Sequence, residues 1–214
     1  MDEEISIIDS NTRKEKLKNF FIKNRKNLIL FVFFTTLLLI IFFIFKDLKK
    51  KNKVEISDLY NNSIIEYSDT NKEKVLNNLI YIINKEDPTY SPLSLYFIID
   101  NDLVSDKEKI KGLFEIVIND TPLDKEIKNL VIYKKALFYA DEIDENNLID
   151  ILNPLINSDS IWKSHALYIL AEYFYDKGEK RKAKEFFEKI LLTSNANQDI
   201  KREAQKRLNR DLSE

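Results

Sequence analysis

The residues of this chain that are able to carry chemistry are few, and their spacing favours contact over catalysis. His165 is the sole histidine and cysteine is absent, so a thiol nucleophile, a disulfide and a multi-histidine metal site are all excluded. Asp141, Glu142, Asp144 and Glu145 form a carboxylate cluster, but no EF-hand glycine or spaced ligand set follows it. Gly112 and Gly178 are the only glycines, too few for a loop that cradles phosphate. An enzyme is therefore not expected, nor is a metal or other cofactor. The chemistry that remains is contact: Tyr133 and Leu137, then His165, Tyr168, Glu172 and Tyr175, recur about one helical turn apart. Tyrosines suit such a surface because they combine apolar area with a hydroxyl and have little conformational entropy to lose. These six residues are the expected peptide contacts.

Helices must position them. Residues 164–192 hold three of the seven alanines in the chain, Ala166, Ala171 and Ala183, together with Gly178. Leu167, Leu170, Ala171 and Phe174 lie at helical spacing on a first helix, Gly178 supplies a turn, and Ala183, Phe187 and Ile190 form the matching stripe on a second. Small residues in both stripes let the two helices approach closely. The pattern resembles a tetratricopeptide repeat over 164–197, with Leu167 and Asn195 where that repeat usually has Trp and Pro. A shift of 35 residues places Ala136, Tyr139, Leu148, Leu152 and Leu155 under Ala171, Phe174, Ala183, Phe187 and Ile190, which predicts a degenerate copy over 129–163. Leu148 is larger than the preferred alanine and Pro154 falls late in the second helix, so this copy is expected to pack more loosely. Upstream, 94–97 with 110–118, and 54–67 with 74–83, read as two more helix pairs from periodicity alone. The fold class expected is all-α: a transmembrane helix followed by an α-solenoid of tetratricopeptide-like hairpins. An ordinary helical bundle is the competing arrangement.

Residues 28–45 contain no charge, and sixteen of the eighteen are Leu, Ile, Phe or Val. As a helix this stretch spans roughly 27 Å, close to the hydrocarbon thickness of a bilayer. Its insertion is favourable by about 5–10 kcal/mol, and Thr35 and Thr36 are expected to bond back to the helix backbone. A cleaved signal peptide would have a shorter apolar region and a small-residue cleavage site, whereas here Lys46-Asp47-Leu48-Lys49-Lys50-Lys51 follows. The expected organisation is a basic tail over 1–27, an uncleaved span over 28–45, a basic connector over 46–53 and a helical domain over 54–214. Seven basic residues precede the span and five follow it closely, which favours a cytoplasmic N-terminus.

From Val54 onward the chain has 22 basic and 30 acidic residues, an acidic balance that argues against nucleic acid as a partner. Half of those basic residues lie between Lys177 and Arg210. One reading is a capping helix over 198–212 whose polar outer face closes the solenoid. The other is a docking end, made by Arg202, Lys206 and Arg207, for an acidic partner or anionic lipid. Replacing all three by Glu should then abolish docking and leave helicity intact.

Over nearly its whole length the chain resembles the ancillary SecYEG translocon subunit family of alphaproteobacteria and gammaproteobacteria, whose repeat domain is similar to that of the cell-division coordinator. The resemblance rests on an acidic start, Asp2-Glu3-Glu4; a basic amphipathic stretch with paired aromatics, Leu17-Lys18-Asn19-Phe20-Phe21-Ile22-Lys23-Asn24; one span; and short helical repeats. Phe20 and Phe21 stand where that family tends to have Trp, Arg25 replaces a glycine, and the alanine-rich repeats are rewritten in Ile, Asn and Lys. The resemblance implies a bacterial inner-membrane protein with a periplasmic repeat domain. Its implied partners are translocon subunits, periplasmic chaperones and exported clients. The alternative is a scaffold that links the inner membrane to envelope-growth or division machinery without binding clients.

Overall fold

The computed structural model describes residues 15–16, 18–20 and 22–212; Asp2, Glu3, Glu4, Arg13 and Lys14, with Leu17 and Phe21 of the pre-anchor stretch, lie outside the described residues. Among the described residues the structure is all-helical, with no strand. The chain divides into two compact units, Met1–Glu55 and Ile56–Glu214.

Helix α1 runs over Arg25–Glu66. Its apolar window has a mean hydropathy of 3.1 and none of it is buried, so the helix is long and apolar enough to cross a membrane. The hydroxyls of Thr35 and Thr36 donate to the Val32 carbonyl at 2.9 and 2.8 Å, which satisfies both inside the helix itself. The basic stretch over 46–53 does not interrupt α1. That part of the sequence contains neither Gly nor Pro, and Lys51 pairs with Asp47 one turn away at 3.0 Å.

The second unit begins at Ile56, the first buried residue of α1. It continues through α2 (Lys72–Ile83), α3 (Tyr90–Asp100), α4 (Lys107–Glu115), a π-helical turn (Ile116–Asp120), α5 (Lys125–Tyr139), α6 (Glu145–Ile156), α7 (Lys163–Asp176), α8 (Lys180–Leu192) and α9 (Gln198–Asp211). One apolar core joins them all. Asp106 and Asp144 start α4 and α6 by accepting from backbone N–H groups of the first turn, and Asn197 does the same for α9.

The extensive helix contacts link elements that are neighbours in the chain or two steps apart, such as α5 with α7 and α7 with α9. Upstream the pairing differs from the expectation drawn from periodicity. There α2 packs most extensively on α3, not on α1. Two small residues one turn apart in α3 favour this contact: Ser91 and Ser94 are fully buried, and the Ser91 hydroxyl donates to the Ile82 carbonyl at 3.0 Å. The end of α1 is tied in by Ser57, whose hydroxyl lies 2.7 Å from that of Tyr90, and by Tyr67, whose ring meets Phe97 edge-on.

Leu167, Leu170, Ala171, Phe174, Ala183, Phe187 and Ile190 are all buried between α7 and α8, the most extensively packed pair in the molecule. Gly178 sits at φ +79° after α7. The Gly178 N–H reaches the Tyr175 carbonyl at 2.9 Å and the Glu179 N–H reaches Phe174 at 2.8 Å, the two bonds of a Schellman turn. In the preceding pair, Ala136, Tyr139, Leu148, Leu152 and Leu155 are likewise buried. That pair packs less extensively, and α6 runs on past Pro154 to Ile156.

Polar ties between successive hairpins recur at nearly constant separations. Ser160 and the Trp162 indole bond to the side chain and carbonyl of Glu126, at separations of 34 and 36 residues. Asn195 bonds to the Asp159 carbonyl, at a separation of 36 residues. The loops after α6 and α8 are thus pinned, the first to α5 and the second to the loop after α6.

A tyrosine-lined groove between alternate helices

The face of α7 turned away from α8 meets α5 on one side and α9 on the other, and a groove of about 520 Å³ opens there. Of the six expected contact residues, Tyr133, Leu137, Tyr168 and Glu172 line it; His165 and Tyr175 do not. Ile169 and Ile200 add apolar wall, while Asp141, Asp176 and Lys177 stand at its polar margin. Leu137 is 49% exposed, and the Tyr133 and Tyr168 rings are half-buried.

Packing accounts for much of the tyrosine surface. Tyr133 stacks on Trp162 with ring centres 5.5 Å apart and meets His165 edge-on at 5.6 Å. Tyr168 packs edge-on against Phe187 in the core at 5.6 Å. Burial, with the Glu172 carboxylate beside it, pushes the Tyr168 hydroxyl up to about 12, and burial also raises that of Tyr133. Both hydroxyls therefore stay protonated and able to donate throughout the physiological range. Burial pulls the pKa of His165 down, partly opposed by the Ile161 carbonyl, so the imidazole is a neutral packing group between two aromatic rings.

Arg207, grouped above with Arg202 and Lys206 at the docking end, is engaged in packing between helices. Its guanidinium bonds both Glu172 oxygens, Nε to Oε1 at 2.8 Å and Nη2 to Oε2 at 2.6 Å, and also pairs with Asp211. Its Cζ lies 4.1 Å from the centre of the Tyr175 ring. Only 15% of the side chain is exposed. Burial opposes the charge, yet Glu172 and Asp211 more than offset it and raise the Arg207 pKa. Arg207 is therefore the latch that holds α9 on α7, and replacing it by Glu would set three carboxylates together and loosen the helix. Arg202 and Lys206 are exposed and pair within α9 with Asp199 and Glu203.

The carboxylate cluster is dispersed into structural roles. Asp144 caps α6, Glu145 accepts from Lys182 at 2.9 and 3.0 Å, and Glu142 pairs with Lys107. Among the described residues no group of three or more His, Cys, Asp or Glu side chains is placed to hold a metal ion. Sequence reasoning did not anticipate Ile169, Ile200 or Lys177 in the lining, nor Trp162 stacked on Tyr133. The aromatic at 162 and the apolar residue at 200 were visible, but only the tertiary packing brings one against Tyr133 and the other to the groove.

Comparison with protein-family models, curated proteins and solved structures finds no match to this chain.

Proposed function

We infer that this chain is a membrane-tethered, tetratricopeptide-like protein-binding module, with the groove between α5, α7 and α9 as its contact surface. The observation that carries the reading is the groove itself: apolar side chains from alternate helices, Leu137, Ile169 and Ile200, converge beside two tyrosine hydroxyls. Surfaces of this kind hold one or two apolar side chains of a partner segment and orient its backbone. The solenoid arrangement is supported by contacts confined largely to neighbouring and next-neighbouring helices and by polar ties about 35 residues apart. The apolar stretch of α1 is the anchor, and the charge bias around it favours a cytoplasmic N-terminus with the repeats on the opposite side. On the family resemblance, the partners are translocon subunits, periplasmic chaperones and emerging exported proteins. Tethering at the membrane would raise the effective concentration of the groove for such chains.

Fusing alkaline phosphatase after Glu214 in a bacterial host tests the placement: the reading expects active enzyme, and an inactive fusion would contradict it. A second reading, a scaffold without client binding, draws on the tyrosine area already consumed by Trp162, His165 and Phe187. The two differ in aggregation assays. The binding module suppresses aggregation of a denatured protein at near-equimolar ratio, and the scaffold does not.

A further inference from the structure

We propose that the groove selects cationic-apolar segments, in which a large aliphatic side chain is flanked by Lys or Arg. The inference rests on the protein-binding reading above and adds the chemistry of the occupant. Leu137, Ile169 and Ile200 provide the apolar seat, and the volume of about 520 Å³ suits one or two large side chains of a partner. Two exposed carboxylates, Asp141 and Asp176, stand at the margin, and neither side chain makes a hydrogen bond or ion pair among the described residues. Their position is informative. Asp176 is the last residue of α7 and Asp141 follows the end of α5 by two residues, where the carbonyl ends of both helices already carry partial negative charge. Acidic groups there work against helix stability, so the two helix ends and the two side chains add to a negative rim that a bound cation would relieve. Glu172 is already paired with Arg207, and Lys177, over the Tyr173 ring at 5.4 Å, offsets only one of the two aspartates. The charge left to an incoming chain is therefore negative, which gives the seat a basic preference.

The test uses the full chain in nanodiscs of zwitterionic lipid and three fluorescein-labelled decapeptides, alternating Leu with Lys, Leu with Ser, or Leu with Glu, followed by fluorescence anisotropy. The Leu/Lys peptide should bind at least tenfold more tightly than the Leu/Ser peptide, with the advantage shrinking as salt rises from 50 to 300 mM. Asp141→Asn with Asp176→Asn should erase that advantage and leave the circular dichroism unchanged. Removing the same charge on α8 by Glu185→Gln with Glu188→Gln should preserve it. Equal binding of all three peptides, lost on Leu137→Asp, would overturn the charge selection and leave the protein-binding reading standing. A preference for Leu/Lys unaffected by the aspartate changes would place the peptide elsewhere and overturn the proposal. Binding of none of them would overturn it too, while the aggregation assay judges the broader reading separately.

Discussion

Gly178 ends α7 at φ +79° and Asp102 ends α3 at φ +47°, and both turns carry the same pair of backbone bonds. After α3, Asp102 N–H reaches Ile99 at 3.2 Å and Leu103 N–H reaches Ile98 at 3.0 Å. Glu86 also adopts a positive φ, +54°, after α2. The C-terminal hairpin thus uses the residue that enters the left-handed region without strain, whereas the N-terminal helices force side chains into it at about 1 kcal/mol or more each. The same contrast holds for helix approach. Ala171 and Ala183 draw α7 and α8 into the tightest contact in the domain, and Leu148 stands at the corresponding position of the looser α5–α6 pair. Similar backbone can therefore be written in two ways, one with small residues and one with accommodated larger ones.

If that contrast is real, exchanging the residues should not exchange the properties. Leu148→Ala should cost about 2–5 kcal/mol by leaving a cavity, although alanine is the preferred residue of the repeat pattern. The reverse change, Ala183→Leu, should cost about 1–3 kcal/mol by overpacking. Urea unfolding of the full chain in detergent checks both, and a stabilising Leu148→Ala would break the comparison. Arg207→Ala should cost about 2 kcal/mol, because Glu172 loses its charged partner and α9 loses its latch. Replacing Arg202 in the same way should change stability by less than about 0.5 kcal/mol. At the turns, Gly178→Ala should lose and Asp102→Gly should gain about 1 kcal/mol; a Cβ at 178 meets nothing within 4 Å, so the loss there is backbone strain alone.

The smallest effect concerns His165. Burial lowers its folded pKa below the ordinary value near 6.5, so the unfolded chain takes up the proton first as pH falls. Its contribution to stability is complete above the unfolded pKa and declines as pH drops from there toward the folded value. Melting temperature should fall between pH 7.5 and 5.5 in the parent protein and fall less in His165→Phe.

How much of this was legible in the sequence follows from the same physics. Gly178, Ala171 and Ala183 could be read because small residues are scarce in this chain and have few other uses. The left-handed turns at Glu86 and Asp102 could not, since neither residue announces the geometry. Ser91 and Ser94 acted as the small residues of the α2–α3 contact but carry hydroxyls that mark turns as often as close packing. Tyr133, Leu137, Tyr168 and Glu172 were placed on one face by helical spacing alone, and they line one groove. The roles of Trp162 and Arg207 were hidden because both reach across about 35 residues to partners on another helix or its lead-in. The charge count at the C-terminal end treated Arg207 as surface, yet its neighbours Glu172, Tyr175 and Asp211 enclose it.

The most direct test of the central claim, that the α5/α7/α9 groove is the surface that meets partner proteins, is site-specific photocrosslinking in cells. A photoreactive amino acid at Leu137 is compared with the same group at Glu185, which is exposed on α8 outside the groove, and adducts are identified by mass spectrometry. The account predicts light-dependent adducts with membrane or exported proteins from position 137, lost on Ile200→Asp, and few from position 185. Equal yields from both positions, or adducts from 185 alone, would contradict it.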